Sequence, residues 1–317
     1  MSPDVRYRLE YWGALTFASL SRLLPMPLAQ FVGAILGQLA FSVVRIRRQV
    51  TLENLHQAFA DSLVRRDLIK IGARCYRNLG RGMMEFCRFP WLTQKRLGKL
   101  LDIQGLEHCR HALAEGKGVI ILSGHFGAWE LLGPVFALNG FPVDLLVRPQ
   151  RNPLADELMS RHRRQVGAEI LRVSRMPRGV IRSLHRNHVM VILADQDGGR
   201  DGIFVPFLGR LASTPRGVAR FALETGAPIL MSFLIRQPGG RHRMVIDSPL
   251  RFSPSGDREA DLFQILQIYT QRLESYVRAY PDQWFWPHRR WKTRPPSAIV
   301  SVREHLGGHL EFRGDSS

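Results

Sequence analysis

His125 and Glu130 stand five positions apart in LSGHFGAWE (122–130), directly after the apolar run GVIIL. An imidazole and a carboxylate can together take a proton from a hydroxyl. The carboxylate bonds one ring nitrogen, fixes the tautomer and leaves the other nitrogen more basic. A base placed in this way contributes roughly 10²–10⁴ in rate. Five positions are about 140° apart around a helix, so the two do not share a helix face. They meet if His125 lies on the turn before a helix and Glu130 in its first turns. Ser123 is close by, but LSGHF lacks the G-x-S-x-G form of a serine elbow.

Three further groups could do chemistry. Arg148 closes VDLLVR and precedes Asn152 by four positions. An arginine there can clasp a phosphate with two parallel hydrogen bonds or steady an oxyanion, with Asn152 positioning it. Asp195, Gln196 and Asp197 close the run HVMVILA. The two carboxylates could hold a divalent metal, pair with Arg148, or cap the Gly198-Gly199 turn; Asp195, nearer the strand, is the better site candidate. WFWPHRRWK (284–292) mixes tryptophan with cations as membrane interfaces do. Its alternative reading has Trp284 and Trp286 in the core and Arg289 and Arg290 in ion pairs. HCRH (108–111) and HRNH (185–188) lack cysteine or carboxylate partners at zinc spacing and read as surface helix. There is no P-loop and no G-x-G-x-x-G after a strand.

Taken in order, these segments resemble the late (secondary) acyltransferases of lipid A biosynthesis, within the wider H-x4-[DE] acyltransferase group. GKGVIILSGHFGAWE is similar to the family's histidine motif, and VRPQRNPLADELMSRHR to its Arg-x3-Asn-Pro segment. VILADQDGG, GIFVPFLGRLASTPRGVARFALETGAPIL and DQWFWPHRRWKTRP resemble its later blocks, although Pro215 and Arg216 stand where the family more often has alanine or glycine. The resemblance runs from about residue 7 to residue 294. It implies transfer of a fatty acyl chain from an acyl carrier protein thioester to a hydroxyl of an anionic glycolipid. It implies His125 as base and Glu130 as its partner, with Arg148, Asn152, Asp195 and Arg216 binding substrate. It also implies no metal and no cofactor, a site at the inner membrane on the cytoplasmic side, and no nucleic-acid partner. FVPFLG would wall an acyl channel, and Arg161, Arg163 and Arg164 on one helix would meet the acidic carrier.

The elements that must position these residues are legible in outline. Residues 45–100 show apolar spacings of three and four, hence helices. Strand-like runs then alternate with helical ones: GVIILSG, PVDLLVRP, AEILRV and HVMVILADQ, with helices between them. This argues for an α/β fold with a mostly parallel central sheet covered by helices. APILMSFLIRQ and RHRMVIDSPL flank PGG as a hairpin, and 258–280 is a long amphipathic helix. Residues 23–44 contain no charge and are followed by RIRR. That predicts an N-terminal anchor over 1–48, spanning or interfacial, before an acyltransferase domain over 49–295 and a tail over 296–317.

With 317 residues and 45% hydrophobic composition the chain can bury a large core. Three cysteines without metal-like pairing suit a reducing compartment. The net charge of +18 favours anionic partners without choosing among them. At this level two readings from other classes stand beside acyl transfer. One is a non-catalytic basic protein that binds nucleic acid or membrane; the other is a metal-dependent glycosyltransferase using Asp195 and Asp197.

Overall fold

The computed structural model describes residues 3–172 and 178–296. The expected tail lies, from residue 297 onward, outside the described residues. Four helices lead the chain: α1 (Pro3–Leu23), α2 (Met26–Ser42), α3 (Arg48–Phe59) and α4 (Arg65–Cys87). Then come α5 (Gln94–Leu100), β1 (Leu101–Gln104), α6 (Leu106–Ala114), β2 (Val119–Ser123), α7 (Leu132–Leu138), β3 (Val143–Val147), α8 (Pro153–Arg164) and β4 (Ala168–Arg172). After these follow α9 (Arg178–His185), β5 (Val189–Leu193), β6 (Ile203–Phe207), β7 (Arg210–Thr214), α10 (Gly217–Thr225), β8 (Ile229–Arg236), β9 (His242–Ile246) and α11 (Arg258–Ala279).

Seven strands form one sheet in the order β1-β9-β8-β2-β5-β3-β4. The five from β8 to β4 run parallel, while β9 returns antiparallel to β8 and takes β1 with it. The mostly parallel α/β sheet expected from the alternating runs is therefore present, with two reversed strands at one edge. The period-2 alternation of strand side chains sends Ile120, Leu122, Met190 and Ile192 to one core layer and Val119, Ile121, Val189 and Val191 to the other. Both faces are buried, which is why the β2 and β5 runs are apolar throughout. β6 and β7 form a separate hairpin.

The expected N-terminal anchor is not supported as a span. Among the described residues no helix is long and apolar enough to cross a membrane. The uncharged stretch 23–44 breaks at Pro25, and its second part, α2, packs on α4. The approach is close enough that a Cβ at Gly37 would lie 2.0 Å from the Tyr76 carbonyl oxygen, and one at Gly80 1.9 Å from that of Gly33. Gln30 on the same face donates to Glu85 Oε1 (2.7 Å) and to the Gly240 carbonyl (3.0 Å). Glu85 also holds Arg236 through two hydrogen bonds of 2.6 and 3.0 Å, so α2 is tied to the sheet through a buried ion pair. The expected boundary at residue 48 thus cuts through a packed unit.

HRNH is likewise more than surface helix. His188 Nδ1 lies 2.8 Å from Asp144 Oδ2, and Ser183 donates to the same buried carboxylate. This cluster sits where β3 and β5 begin, at the amino edge of the sheet, opposite the candidate site.

Candidate active site

β2 and β5 are parallel neighbours in register, Ser123 beside Leu193. Two residues beyond each strand end, His125 and Asp195 therefore emerge side by side at the carboxyl edge, where open α/β sheets place their sites. His125 Nδ1 lies 2.7 Å from Asp195 Oδ1. Asp195 Oδ2 accepts the His125 backbone N–H at 2.9 Å and the Trp284 indole N–H at 2.8 Å. With both lone-pair directions of Oδ2 in use, Oδ1 is left for the imidazole. The ring then carries its proton on Nδ1 and presents a bare Nε2. The Gln196 amide nitrogen is 3.5 Å from that Nε2, too far for a strong bond.

Burial alone would push the imidazole down, but the charge and hydrogen bond of Asp195 outweigh it, and His125 titrates above the ordinary range. Burial would raise Asp195, and the same histidine, with Trp284, holds it low instead. Asp195 is 2% exposed while 22% of the His125 side chain stays open, so the pair has one dry member and one reachable member.

The turn carrying His125 is fixed from below by the closing block. Gly127 N–H donates to the Gln283 carbonyl (2.8 Å), and Phe285 N–H to the His125 carbonyl (3.0 Å). Gly127 has φ +58°, and a Cβ there would strike the Leu234 carbonyl oxygen at 1.6 Å, so this position needs glycine. Trp284 and Trp286 are core residues, not interfacial rings, and the WFW motif serves to orient Asp195 and brace the loop. Arg290 is fully buried: it donates to the Ser213 carbonyl and the Thr214 hydroxyl, and burial lowers it to about 10. His288, depressed to about 4 by burial, stays neutral and accepts the Asp197 N–H at 2.9 Å.

The sequence-predicted set divides. His125 and Asp195 meet. Glu130, expected as the partner of His125, lies in the 3₁₀ turn Trp129–Leu131 and is engaged by Arg163 of α8 through two hydrogen bonds of 3.0 and 2.8 Å. Burial disfavours the Arg163 charge, but Glu130 overrides this and keeps the guanidinium raised. The correction follows from strand register, which delivers Asp195 to Nδ1 before Glu130 can turn back to it. Asp195 in turn does not pair with Arg148. Asp197 goes elsewhere, taking the Thr293 hydroxyl at 2.9 Å.

Arg148 is exposed just beyond β3, at the same carboxyl edge, with no hydrogen-bond partner among the described residues. Asn152 is the N-cap of α8, accepting the Leu154 N–H at 3.0 Å while its amide donates to the Tyr7 carbonyl and Glu10. Its buried side chain is spent on helix capping and on holding α1, not on a substrate. Arg216 precedes α10 and forms an exposed ion pair with Glu259 of α11. Nor can Arg161, Arg163 and Arg164 share one face at 100° per residue: Arg163 turns inward to Glu130, and Arg164 pairs with Glu157.

Near His125 lies a largely apolar cavity of about 210 Å³, lined in part by α4 (Leu79, Gly82, Met83, Phe86), by Glu130, and by Trp129 and Phe285. The last two rings also flank His125, at centroid distances of 5.5 and 6.0 Å. The expected wall FVPFLG is elsewhere: Val205 and Phe207 are fully buried in the core. A base with a fixed tautomer, near a greasy pocket and with an exposed arginine farther along the same sheet edge, can deprotonate a hydroxyl while an acyl chain lies alongside. That is the equipment of a lipid O-acyltransferase.

The chain belongs to the bacterial lipid A biosynthesis acyltransferase family, whose model it matches over residues 2–293. It is 28% identical over 292 residues to the lipid A biosynthesis lauroyltransferase of Escherichia coli, covering 90% of this chain and 93% of that one. It is 27% identical over 309 residues to the palmitoleoyltransferase of the same organism, covering 93% and 97%. A phosphatidylinositol mannoside acyltransferase of Mycobacterium tuberculosis is 30% identical over 219 residues, 67% of each chain.

The two carboxylates near His125 can be told apart. Glu130→Gln breaks the paired hydrogen bonds to Arg163 and is expected to cost about 2 kcal/mol of stability, read from denaturant midpoints. The pH dependence of turnover should move little. If Glu130→Gln displaces it as far as Asp195→Asn does, Glu130 is the working partner of the imidazole.

Proposed function

We propose that this acyltransferase moves a fatty acyl chain from an acyl carrier protein thioester to a hydroxyl of a lipid A precursor, or a related phosphorylated glycolipid, at the cytoplasmic face of the inner membrane. The observation that carries this reading is the His125–Asp195 pair, with Trp129 and Phe285, the two rings flanking His125, lining the apolar cavity. His125 Nε2 takes the hydroxyl proton as the oxygen attacks the thioester carbonyl. The C–O bond forms, the tetrahedral oxyanion collapses, the C–S bond breaks, and the thiolate leaves with the proton carried by His125. Asp195 keeps the transient imidazolium stable and correctly turned. Atoms and charge balance without a further reagent. The Gln196 amide faces the same space as Nε2 and can donate to the oxyanion. Arg148 at the edge suits a phosphate of the acceptor.

The acyl chain lies against α4. A Cβ added at Gly82 has only the Arg236 guanidinium near it, at 4.0 Å, so a larger side chain there enters the cavity without striking backbone. Gly82→Leu is therefore expected to shift the product toward acyl chains shorter by roughly two to four carbons. Mass spectrometry of lipids made with mixed acyl donors reads this directly. An unchanged chain distribution would remove the cavity from the acyl site.

The identity of acceptor and donor is tested by mass spectrometry of membrane lipids with and without the protein, and by supplying the acyl group on carrier protein or on coenzyme A. A hydroxyl of a mannolipid, the acceptor class in the name of the mycobacterial relatives, would use the same chemistry. The lipid that gains the mass of one acyl residue decides between them.

A further inference from the structure

The segment that follows α11 grips the loop after β5 residue by residue. The Trp284 indole donates to Asp195 at 2.8 Å, His288 Nε2 accepts the Asp197 N–H at 2.9 Å, and the Thr293 hydroxyl donates to the Asp197 carboxylate at 2.9 Å. The segment is itself pinned by α3, where Asn54 donates to the Trp286 and His288 carbonyls at 2.8 and 2.6 Å. Between these holds lies Gln196, whose backbone carbonyl faces Arg290 Nη1 at 3.4 Å. The same guanidinium donates to the Ser213 carbonyl and, at 2.6 Å, to the Thr214 hydroxyl. The Ser213 carbonyl also accepts the Gly198 N–H at 2.9 Å, and a Cβ at Gly198 would come within 2.7 Å of the Thr214 carbonyl carbon. Loop 196–198 is therefore pressed against the end of β7, with Arg290 at the seam.

We propose that Arg290 is a positioning residue for acyl transfer: its guanidinium ties the Gln196 carbonyl to the end of β7 and so holds the Gln196 amide in the space beside His125 Nε2, where the oxyanion forms. The inference rests on the acyl-transfer reading above, because turnover is its main readout. Arg290 is fully buried, so it reaches no substrate and acts only through the groups it holds. Its guanidinium lies 5.4 Å from the centroid of the Phe207 ring, and every hydrogen bond it makes among the described residues goes to a neutral oxygen. Its Nε is buried without a partner. A buried cation held by neutral groups alone pays desolvation without the return of an ion pair, so stability gives little reason for a charge at this position. Geometry gives a better one. Three acceptors on two chain segments converge on one side chain, and a planar fork can meet them together where a single ammonium cannot. The Gln196 side chain needs that hold, because its amide nitrogen is 3.5 Å from His125 Nε2 and neither bonds it strongly nor is fixed by it.

The test compares the full-length wild type with Arg290→Lys, Gln196→Ala and the double variant in acyl-transfer assays, with melting temperatures recorded. Arg290→Lys keeps the charge and loses the fork. It is expected to lower kcat about tenfold with the KM for the acyl donor unchanged, since a displaced amide weakens only the transition state. Gln196→Ala should lower kcat about 10²-fold. In the Gln196→Ala background the lysine should cost less than about twofold, because its effect passes through the amide. Hydrogen exchange gives a readout without turnover: the Asp197 and Gly198 N–H groups should exchange faster in Arg290→Lys than in wild type. If Arg290→Lys does not fold, Thr214→Val, which removes one acceptor and leaves the cation, takes its place in the same comparison. Wild-type kcat in Arg290→Lys overturns the inference by showing that charge alone suffices. An equal loss in both backgrounds overturns it in favour of a general loosening of the fold, and a raised KM at constant kcat in favour of a substrate contact. Unchanged exchange at Asp197 and Gly198 removes the hold itself. A wild type that makes no acylated product removes the acyl-transfer reading, whereas normal wild-type transfer with an unimpaired Arg290→Lys removes the inference alone.

Discussion

Replacing His125 by alanine is expected to lower acyl transfer about 10³-fold while leaving the fold in place. The loss follows from one missing function: among the described residues nothing else at the carboxyl edge presents an unprotonated ring nitrogen free of a strong hydrogen bond. Gln196 can donate a hydrogen bond but cannot take a proton. His288 remains neutral, but its Nε2 is occupied by the Asp197 N–H. The structural cost is small because the loop is held by its backbone. The His125 N–H still reaches Asp195, the His125 carbonyl still accepts from Phe285, and Gly127 still anchors on Gln283. Asp195 loses one of three donors and keeps the two on Oδ2. The measurement is single-turnover transfer from radiolabelled acyl donor, with the melting temperature recorded alongside. A variant that keeps more than about a tenth of its rate would place the base elsewhere.

The strands and helices of the core were legible because both code themselves locally. GVIIL and HVMVIL are uniformly apolar since both faces of β2 and β5 are covered, and the 258–280 helix carries its stripe at helical spacing. What stayed illegible depends on strand order. His125 and Asp195 are 70 positions apart, and their meeting requires β2 to lie beside β5 in a register that no local pattern states. Glu130 looked like the partner because it is near in sequence, and the Arg163 that claims it comes from α8. The tryptophans of the closing block misled for a related reason: Trp beside Arg and Lys is also the composition of a membrane interface. Only the position of Trp284 beneath Asp195 distinguishes the two. Arg148 could be placed at the sheet edge from its strand, whereas Asn152 and Arg216 could not be separated from it by residue type. At the N-terminus an uncharged run of helix-forming residues reads as an anchor, spanning or interfacial, and does not disclose the glycine face by which it fits α4.

The largest departure in pH behaviour is expected from Asp195→Asn. In the wild type the base works neutral, and Asp195 holds His125 above the ordinary imidazole value of about 6.5. kcat/KM should therefore rise with pH through that elevated value. An asparagine would turn its carbonyl to the two donors now on Oδ2, the His125 and Trp284 N–H groups, and so aim its NH₂ at Nδ1. Nδ1 must then accept, the ring proton moves to Nε2, and the nitrogen facing the hydroxyl can no longer take a proton. A loss of about 10³–10⁴ follows from the wrong tautomer. With the carboxylate gone, burial is left to depress the imidazole, so the remaining activity should rise with pH at a lower value than in wild type. The stability signs agree. A raised His125 stabilises the fold below its unfolded pKa, near 6.5, and that contribution fades as pH rises through the folded value. A depressed Asp195 stabilises above its unfolded pKa, about 3.9, and fades as pH falls through the folded one. The melting-temperature gap between wild type and Asp195→Asn should therefore be widest in mildly acidic buffer and narrow on both sides. A gap that grows steadily toward alkaline pH would mean that His125 is neutral throughout and that Asp195 serves the turn and Trp284, not the imidazole.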